Sequence, residues 1–309
     1  MVAPLTIGAG WEVGPGWTIG PPEPPPTLML SLDASTYTNT TSGPQQNVSG
    51  TSDNTGFFPY GWPAYSAIQP GWTCVQTGAV VTVVDGVNHV ITTVGTPFAS
   101  GSTYTFTSSN SWIDSVGNLP FILQNSPTYS SSNGGYLTFV PASSQYAQCA
   151  TSLSNLNTWS VEAWHYYTGT NSALGCCIVT EVFPGNTGQI NYTLGSIDSN
   201  AADLQAAWFT GSYWNKTAAG YSLTPNNWYQ IVATYDGSTI KLYVNNALVQ
   251  QVAATGNAGS SQGGINLMRR WDNADYWGGN LAIVKIYDGA MGPAGVAASW
   301  NANKTRFGL

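Results

Sequence analysis

Apolar and polar positions alternate with period two along most of the chain, the pattern of strands that bury one face. In LMLSLD, Leu28, Leu30 and Leu32 oppose Met29, Ser31 and Asp33; in NTWSVEAWHYY, Trp159, Val161 and Ala163 oppose Ser160, Glu162 and Trp164. The β-branched runs of VVTVVDGVNHVITTV meet at Asp85-Gly86, where a tight turn predicts a hairpin, and STYTFT supplies a further strand. NNWYQIVATYDGSTIKLYVNNALVQQV reads as a three-strand meander turning at DGS and at Asn245-Asn246, and LAIVKIY as another strand. A single helix is predicted after it. Pro293 is placed for a first helical turn, and Val296 and Trp300, four apart, share a face.

The same alternation holds in residues 7 to 19. Ile7, Ala9, Trp11, Val13, Pro15, Trp17 and Ile19 carry the bulk, while Gly8, Gly10, Glu12, Gly14, Gly16 and Thr18 leave the other side almost bare. Pro15 lacks an N–H and points to an edge strand or a polyproline-like ribbon. Such a ribbon spans about 43 Å at ~3.3 Å per residue and is too thin to fold alone. GPPEPPPT, residues 20–27, follows as a stiff spacer. Ile7, Trp11, Val13, Trp17 and Ile19 are therefore candidate assembly residues, docking on another subunit; packing back on their own domain is the alternative. Residues 38–70 are polar and turn-rich, with no helical or strand period, and read as a long loop or ordered arm.

Composition narrows the function. The chain has 309 residues, enough for a substantial core, yet only 7% are charged, against about 25% in typical soluble proteins. A net charge of −7 with seven Lys and Arg offers no basic stripe, which excludes nucleic acid as a ligand. No apolar run approaches the roughly 20 residues of a membrane span. The N-terminus lacks the basic head and apolar core of a signal peptide, so the mature chain is expected to start at Met1. Cys74, Cys149, Cys176 and Cys177 show no C-x-x-C spacing and are expected to be free, buried thiols of a chain folded in reducing cytosol. Sequons at Asn39, Asn47, Asn191, Asn215 and Asn303 are as many as chance supplies in a sequence so rich in Ser and Thr.

LMLSLDAS, SWIDSVGN, NSPTYSSSNGGYLTF, NTWSVEAWHYY, NNWYQIVATYDGSTIKLYVNNALV and LAIVKIYDGAMGPAGVAASWNANKTRFGL, in that order, resemble the laminin-G-like, concanavalin A-type jelly roll. The last segment resembles a version common in virion proteins of tailed phages, and the Gly-Trp hexads resemble those of cyanophage structural proteins. The resemblance implies an all-β sandwich of residues 28–37 plus 110–309, with one short C-terminal helix. Residues 38–109 depart from the family and read as an inserted loop and small β subdomain; residues 1–27 read as an extended arm. Insertions cost little, because loop-closure entropy grows slowly with length. The resemblance further implies a structural virion protein, in capsid decoration or a tail fibre, located in the virion and partnered by other virion proteins. A homo-oligomer, by similarity to fibre proteins a trimer, is expected.

The residues argue against catalysis. Related glucanases carry paired carboxylates as E-x-D-x-E on one strand, and glycoside hydrolysis needs two carboxyls about 5–9.5 Å apart. Here Glu162 and Glu181 each stand alone, and Asp272 and Asp275 lie in a Trp-rich loop. His89 and His165 are the only histidines, no G-x-S-x-G elbow occurs, and no glycine-rich stretch has the context of a phosphate loop. No catalytic residue and no cofactor is expected. TGSYWNKT and RRWDNADYWGG instead cluster aromatics with polar groups. Tyr213, Trp214, Asn215, Trp271, Asp272, Asp275, Tyr276 and Trp277 are candidate binders of a host surface polysaccharide. The alternative is that Trp214, Trp271 and Trp277 cap the core or meet a neighbouring subunit. Calcium would draw on Asp272, Asn273 and Asp275; no other metal site is indicated. A glycan-binding adhesin is thus the second reading of the chain, and a glycoside hydrolase the third.

Overall fold

A computed structural model describes residues 25–37, 111–117, 119–149, 151–153, 156–171, 176–182, 190–197, 203–210, 214–217, 221–256 and 263–309, with 46–50, 55–57, 73–74, 80–85, 90–94, 99 and 103–107 between them. Ile7, Trp11, Val13, Trp17, Ile19, His89 and Tyr213 lie outside the described residues.

Two antiparallel sheets face each other. In the eight-stranded sheet the order is Thr128–Ser130, Tyr136–Phe139, Trp277–Asp288, Trp159–Asn171, Asn227–Tyr235, Thr239–Val244 and Ala247–Ala253, with Thr27–Asp33 also pairing onto Trp277–Asp288. The nine-stranded sheet runs Trp214–Lys216, Asp203–Phe209, Ile190–Gly195, Cys177–Glu181, Ile265–Leu267, Tyr146–Cys149, Pro120–Gln124 and Ser111–Ile113, with Tyr221–Ser222 on Asp203–Phe209. Strands between residues 46 and 107 pair among themselves in a closed barrel. Its hairpin pairs Asp85 with Val90, so Asp85 stays in the ladder and four residues, 86–89, connect the strands instead of a two-residue turn at Asp85-Gly86. The chain on either side of the barrel is fastened by Asp114, whose carboxylate accepts the Ser31 N–H at 2.6 Å and those of Val116 and Gly117.

The meander turns where its sequence demands. Asn245 and Asn246 hold φ of 49° and 65°, the left-handed pair that a two-residue hairpin turn requires. At the other turn Asp236 accepts the N–H groups of Ser238 and Thr239, with Lys241 at 3.2 Å. Burial opposes ionisation there, but these bonds win and hold the Asp236 carboxyl down to about 2.

Period two on the long strand Trp159–Asn171 builds two apolar layers. Trp159, Val161, Ala163 and Tyr167 enter the core between the sheets, while Trp164 joins a separate cluster on the other side. The helix Pro293–Asn303 covers that outer side: Trp164 stacks on Trp300 at 5.7 Å and on Phe307 at 4.8 Å, and Val296 packs with Val232, Tyr243 and Met291. Both faces of the strand are therefore dry from Trp159 to His165. Among the described residues no helix is long and apolar enough to cross a membrane.

Candidate functional site

The nine-stranded sheet carries an aromatic ladder on its outer face. Strand Asp203–Phe209 sends Leu204, Ala206 and Trp208 into the core, so Gln205, Ala207 and Phe209 point the other way. Phe209 pairs with Trp214 across the edge hairpin, and residues directly opposite share a face. Their rings lie 4.8 Å apart, and Trp271 lies 4.7 Å beyond Trp214. The three rings form one half-buried platform.

The loop after Ile265–Leu267 brings Trp271 there. Asn266 is fully buried, and its Nδ2 donates to the Arg270 carbonyl and to Asn273 Oδ1, both at 3.0 Å, which folds the loop back over the sheet. Arg270 then gathers the acids. Its Nε and Nη2 bond the two oxygens of Asp272 at 2.7 and 2.8 Å, and Nη1 meets Asp275 at 2.6 Å. Burial raises the Asp272 pKa, but the Arg270 hydrogen bonds outweigh it and hold the carboxyl below its usual range. Arg269, next to it, lies 4.1 Å over the Tyr146 ring and 5.7 Å from that of Tyr276.

A family model for the concanavalin A-like lectin/glucanases superfamily matches residues 141–297. The chain belongs to that superfamily. No curated protein matches its sequence. Domain 4 of AbnA, a GH43 extracellular arabinanase from Geobacillus stearothermophilus solved with arabinotriose, is similar in fold: identity is 16%, the TM-score 0.50, and the match covers 60% of this chain and 90% of that one. The receptor binding domain of botulinum neurotoxin C/D mosaic serotype matches at 16% identity and TM-score 0.48, covering 62% of this chain and 49% of its own. That of serotype G matches at 12% and 0.46, covering 63% and 49%. The chain thus spans about half the length of the neurotoxin domains. At these identities the likeness is one of fold.

In this superfamily member the residues singled out from sequence separate into two groups. Trp214, Trp271, Asp272, Asp275 and Tyr276 share the loop surface, all partly exposed. Asn215 leaves it, because its partner is Trp208, whose side of the strand faces the core. Trp277 leaves it too: it is fully buried, and its indole N–H donates to His165 Nε2 at 3.0 Å. That bond fixes His165 as the Nδ1–H tautomer, donating to the Asn280 carbonyl at 3.0 Å, and burial pushes its pKa down to about 3. The calcium set does not converge, since Asp272 and Asp275 face Arg270, and Asn273 Oδ1 accepts from Asn266.

The lone glutamates are both sealed. Glu162 Oε1 accepts from Trp164 Nε1, Gln230 Nε2 and Ser299 Oγ at 2.7, 3.0 and 2.6 Å, beneath the helix on the eight-stranded sheet. Glu181, on the other sheet, accepts the Asn191 N–H at 2.6 Å. Sequence reasoning missed Phe209, Tyr146 and Arg269. The adjacent arginines in RRWDNADYWGG were a visible signal, and the pairing of Phe209 with Trp214 across a short hairpin was another. Tyr146 gave none, since only the sheet order sets its strand beside Ile265–Leu267.

Proposed function

We propose that this chain is a non-catalytic, carbohydrate-binding jelly roll displayed as a structural component of a tailed-phage virion. The Phe209–Trp214–Trp271 ladder beside Arg270, Asp272 and Asp275 carries the binding half of that reading. Flat rings stack on the C–H faces of a sugar, and a guanidinium held between two carboxylates offers fixed donors and acceptors to its hydroxyls. The superfamily holds both lectins and glucanases, and the carboxylates here favour the lectin side, because Asp272 and Asp275, which come close together, are both neutralised by Arg270. Glu162 and Glu181 are fully buried and belong to different sheets. The test is binding to a panel of bacterial surface polysaccharides by the intact chain, Trp214→Ala and Trp271→Ala. A loss of tenfold or more in each variant, with an unchanged unfolding midpoint, is expected; unaltered affinity in both sinks the reading. Hydrolysis of any of these glycans, abolished by Glu162→Gln, would overturn the non-catalytic part.

The virion half is supported by the arm. Residues 7–19 alternate bulky and small side chains and precede a proline-rich stretch, and as an extended ribbon they would gain stability only by covering the apolar side against another surface. Other virion proteins and sister subunits supply that surface, and the sandwich faces outward towards host polysaccharide. A chain lacking residues 1–27 is expected to keep its folded sandwich and to lose oligomerisation or incorporation into particles. Assembly unaffected by the truncation would remove the arm from this account.

A further inference from the structure

The chain has seven Lys and Arg, and three of them form ion pairs among the described residues. Lys241 meets Asp236, Arg306 meets Asp33, and Arg270 takes both Asp272 and Asp275. Arg269 meets no carboxylate within ion-pair distance among the described residues. Its guanidinium lies instead over the Tyr146 ring at 4.1 Å, with Tyr276 to one side at 5.7 Å; Nη2 donates to the Asn273 carbonyl, and Nε is buried without a hydrogen-bond partner. No partner among the described residues engages Nη1. A guanidinium stripped of part of its water by a ring face and by burial of its Nε binds an anion more strongly than one in bulk solvent, and its planar fork matches a carboxylate.

The loop is also polarised. Arg270 with its two aspartates sums to one negative charge, and Arg269, on the adjoining residue, adds one positive charge. The acid end suits sugar hydroxyls, and the Arg269 end suits an anionic substituent. The chain's overall charge of −7 does not oppose this at close range, because the Debye length at physiological ionic strength is about 8 Å.

We infer that the sugar taken by this face is acidic: a uronic-acid polysaccharide whose carboxylate sits on Arg269, with a ring stacked on Trp271 and Trp214. The inference rests on the proposal that the face binds carbohydrate. Arg269 acts as the residue that selects charge, and the rings as the residues that hold any sugar at all.

A set of uronic-acid polysaccharides, each compared with its carboxyl-reduced counterpart of the same linkage, separates these roles. The intact chain is expected to bind the acidic members at least tenfold more tightly than the reduced ones, with the difference shrinking as salt rises. Arg269→Gln removes the preference and leaves binding to the reduced polymers in place. Arg269→Lys, which keeps the charge but not the fork, retains part of it and controls for folding. Trp271→Ala weakens both classes. Equal affinity for acidic and reduced forms, or a preference that survives Arg269→Gln, overturns the inference while the stacking face stands. If no polysaccharide of either class or of the neutral panel binds, the carbohydrate reading itself falls and takes the inference with it.

Discussion

Arg306 and Asp33 stand 273 residues apart, and Nη1 of the arginine spans both carboxylate oxygens of the aspartate at 2.9 and 3.0 Å. The rest of the guanidinium is used as well: Nε donates to the Asn133 carbonyl at 2.7 Å, and Nη2 to those of Gly134 and Gly135. One side chain thus ties the strand Thr27–Asp33, the turn at Ser132–Gly134 and the end of the chain, where Phe307 covers Trp164 and Trp228. A lysine cannot reproduce this fork. Arg306→Lys is expected to lower unfolding stability by about 2 kcal/mol, read as a reduced urea midpoint at constant slope. An unchanged midpoint would show that the three segments hold without it.

His165 makes stability depend on pH. Burial lowers its pKa from 6.5 to about 3, so between those values the unfolded chain binds a proton that the folded chain refuses. Its contribution is full above the unfolded value and falls as pH drops towards 3, by at most about 1.4 kcal/mol per unit. His165→Gln, measured across pH 3.5 to 7.5, is expected to show a shallower loss than the parent chain. Parallel curves would mean that other groups set the slope.

The four cysteines form no disulfide and are buried, and burial pushes the Cys149 and Cys177 thiols above their usual range. An aromatic disulfide reagent at pH 8 should therefore react slowly with the native chain and with four thiols once it is denatured. Rapid labelling of any of them in the folded state would contradict the packing.

Calcium should not stabilise the loop, because Arg270 already occupies the carboxylates a cation would need. The unfolding midpoint is expected to be the same in excess calcium and in chelator. A rise with calcium, as binding linkage requires of any native-state ligand, would show that the ion displaces the arginine. Arg270→Gln provides the converse check, since it frees both aspartates and should create a calcium-dependent midpoint.

Much of the fold was legible because its causes are local. Alternation in LMLSLD and NTWSVEAWHYY sorts side chains to two faces wherever the strand lies, and Asn245-Asn246 tolerates positive φ in any context. Pro293 opens the helix where the sequence places it, and Val296 and Trp300 do share its packed side. The candidate site was half legible. Trp214 and Trp271 meet, but nothing in YWNKT or DYWGG says that Asn215 and Trp277 turn inward, since that depends on the partner strand and its register.

By itself the sequence determined that this chain is built of β strands with one helix near its end and carries few charges, because periodicity, turn chemistry and residue inventory are properties of short segments; the sandwich was implied by the resemblance to a known family. Only the tertiary structure decided which outward faces stay wet. The helix seals Glu162 and Trp164 beneath it, whereas the loop at Arg269–Tyr276 leaves its rings and charges partly open. Burial on an outer face is set by what another part of the chain lays over it, and that covering segment lies more than a hundred residues away from Glu162.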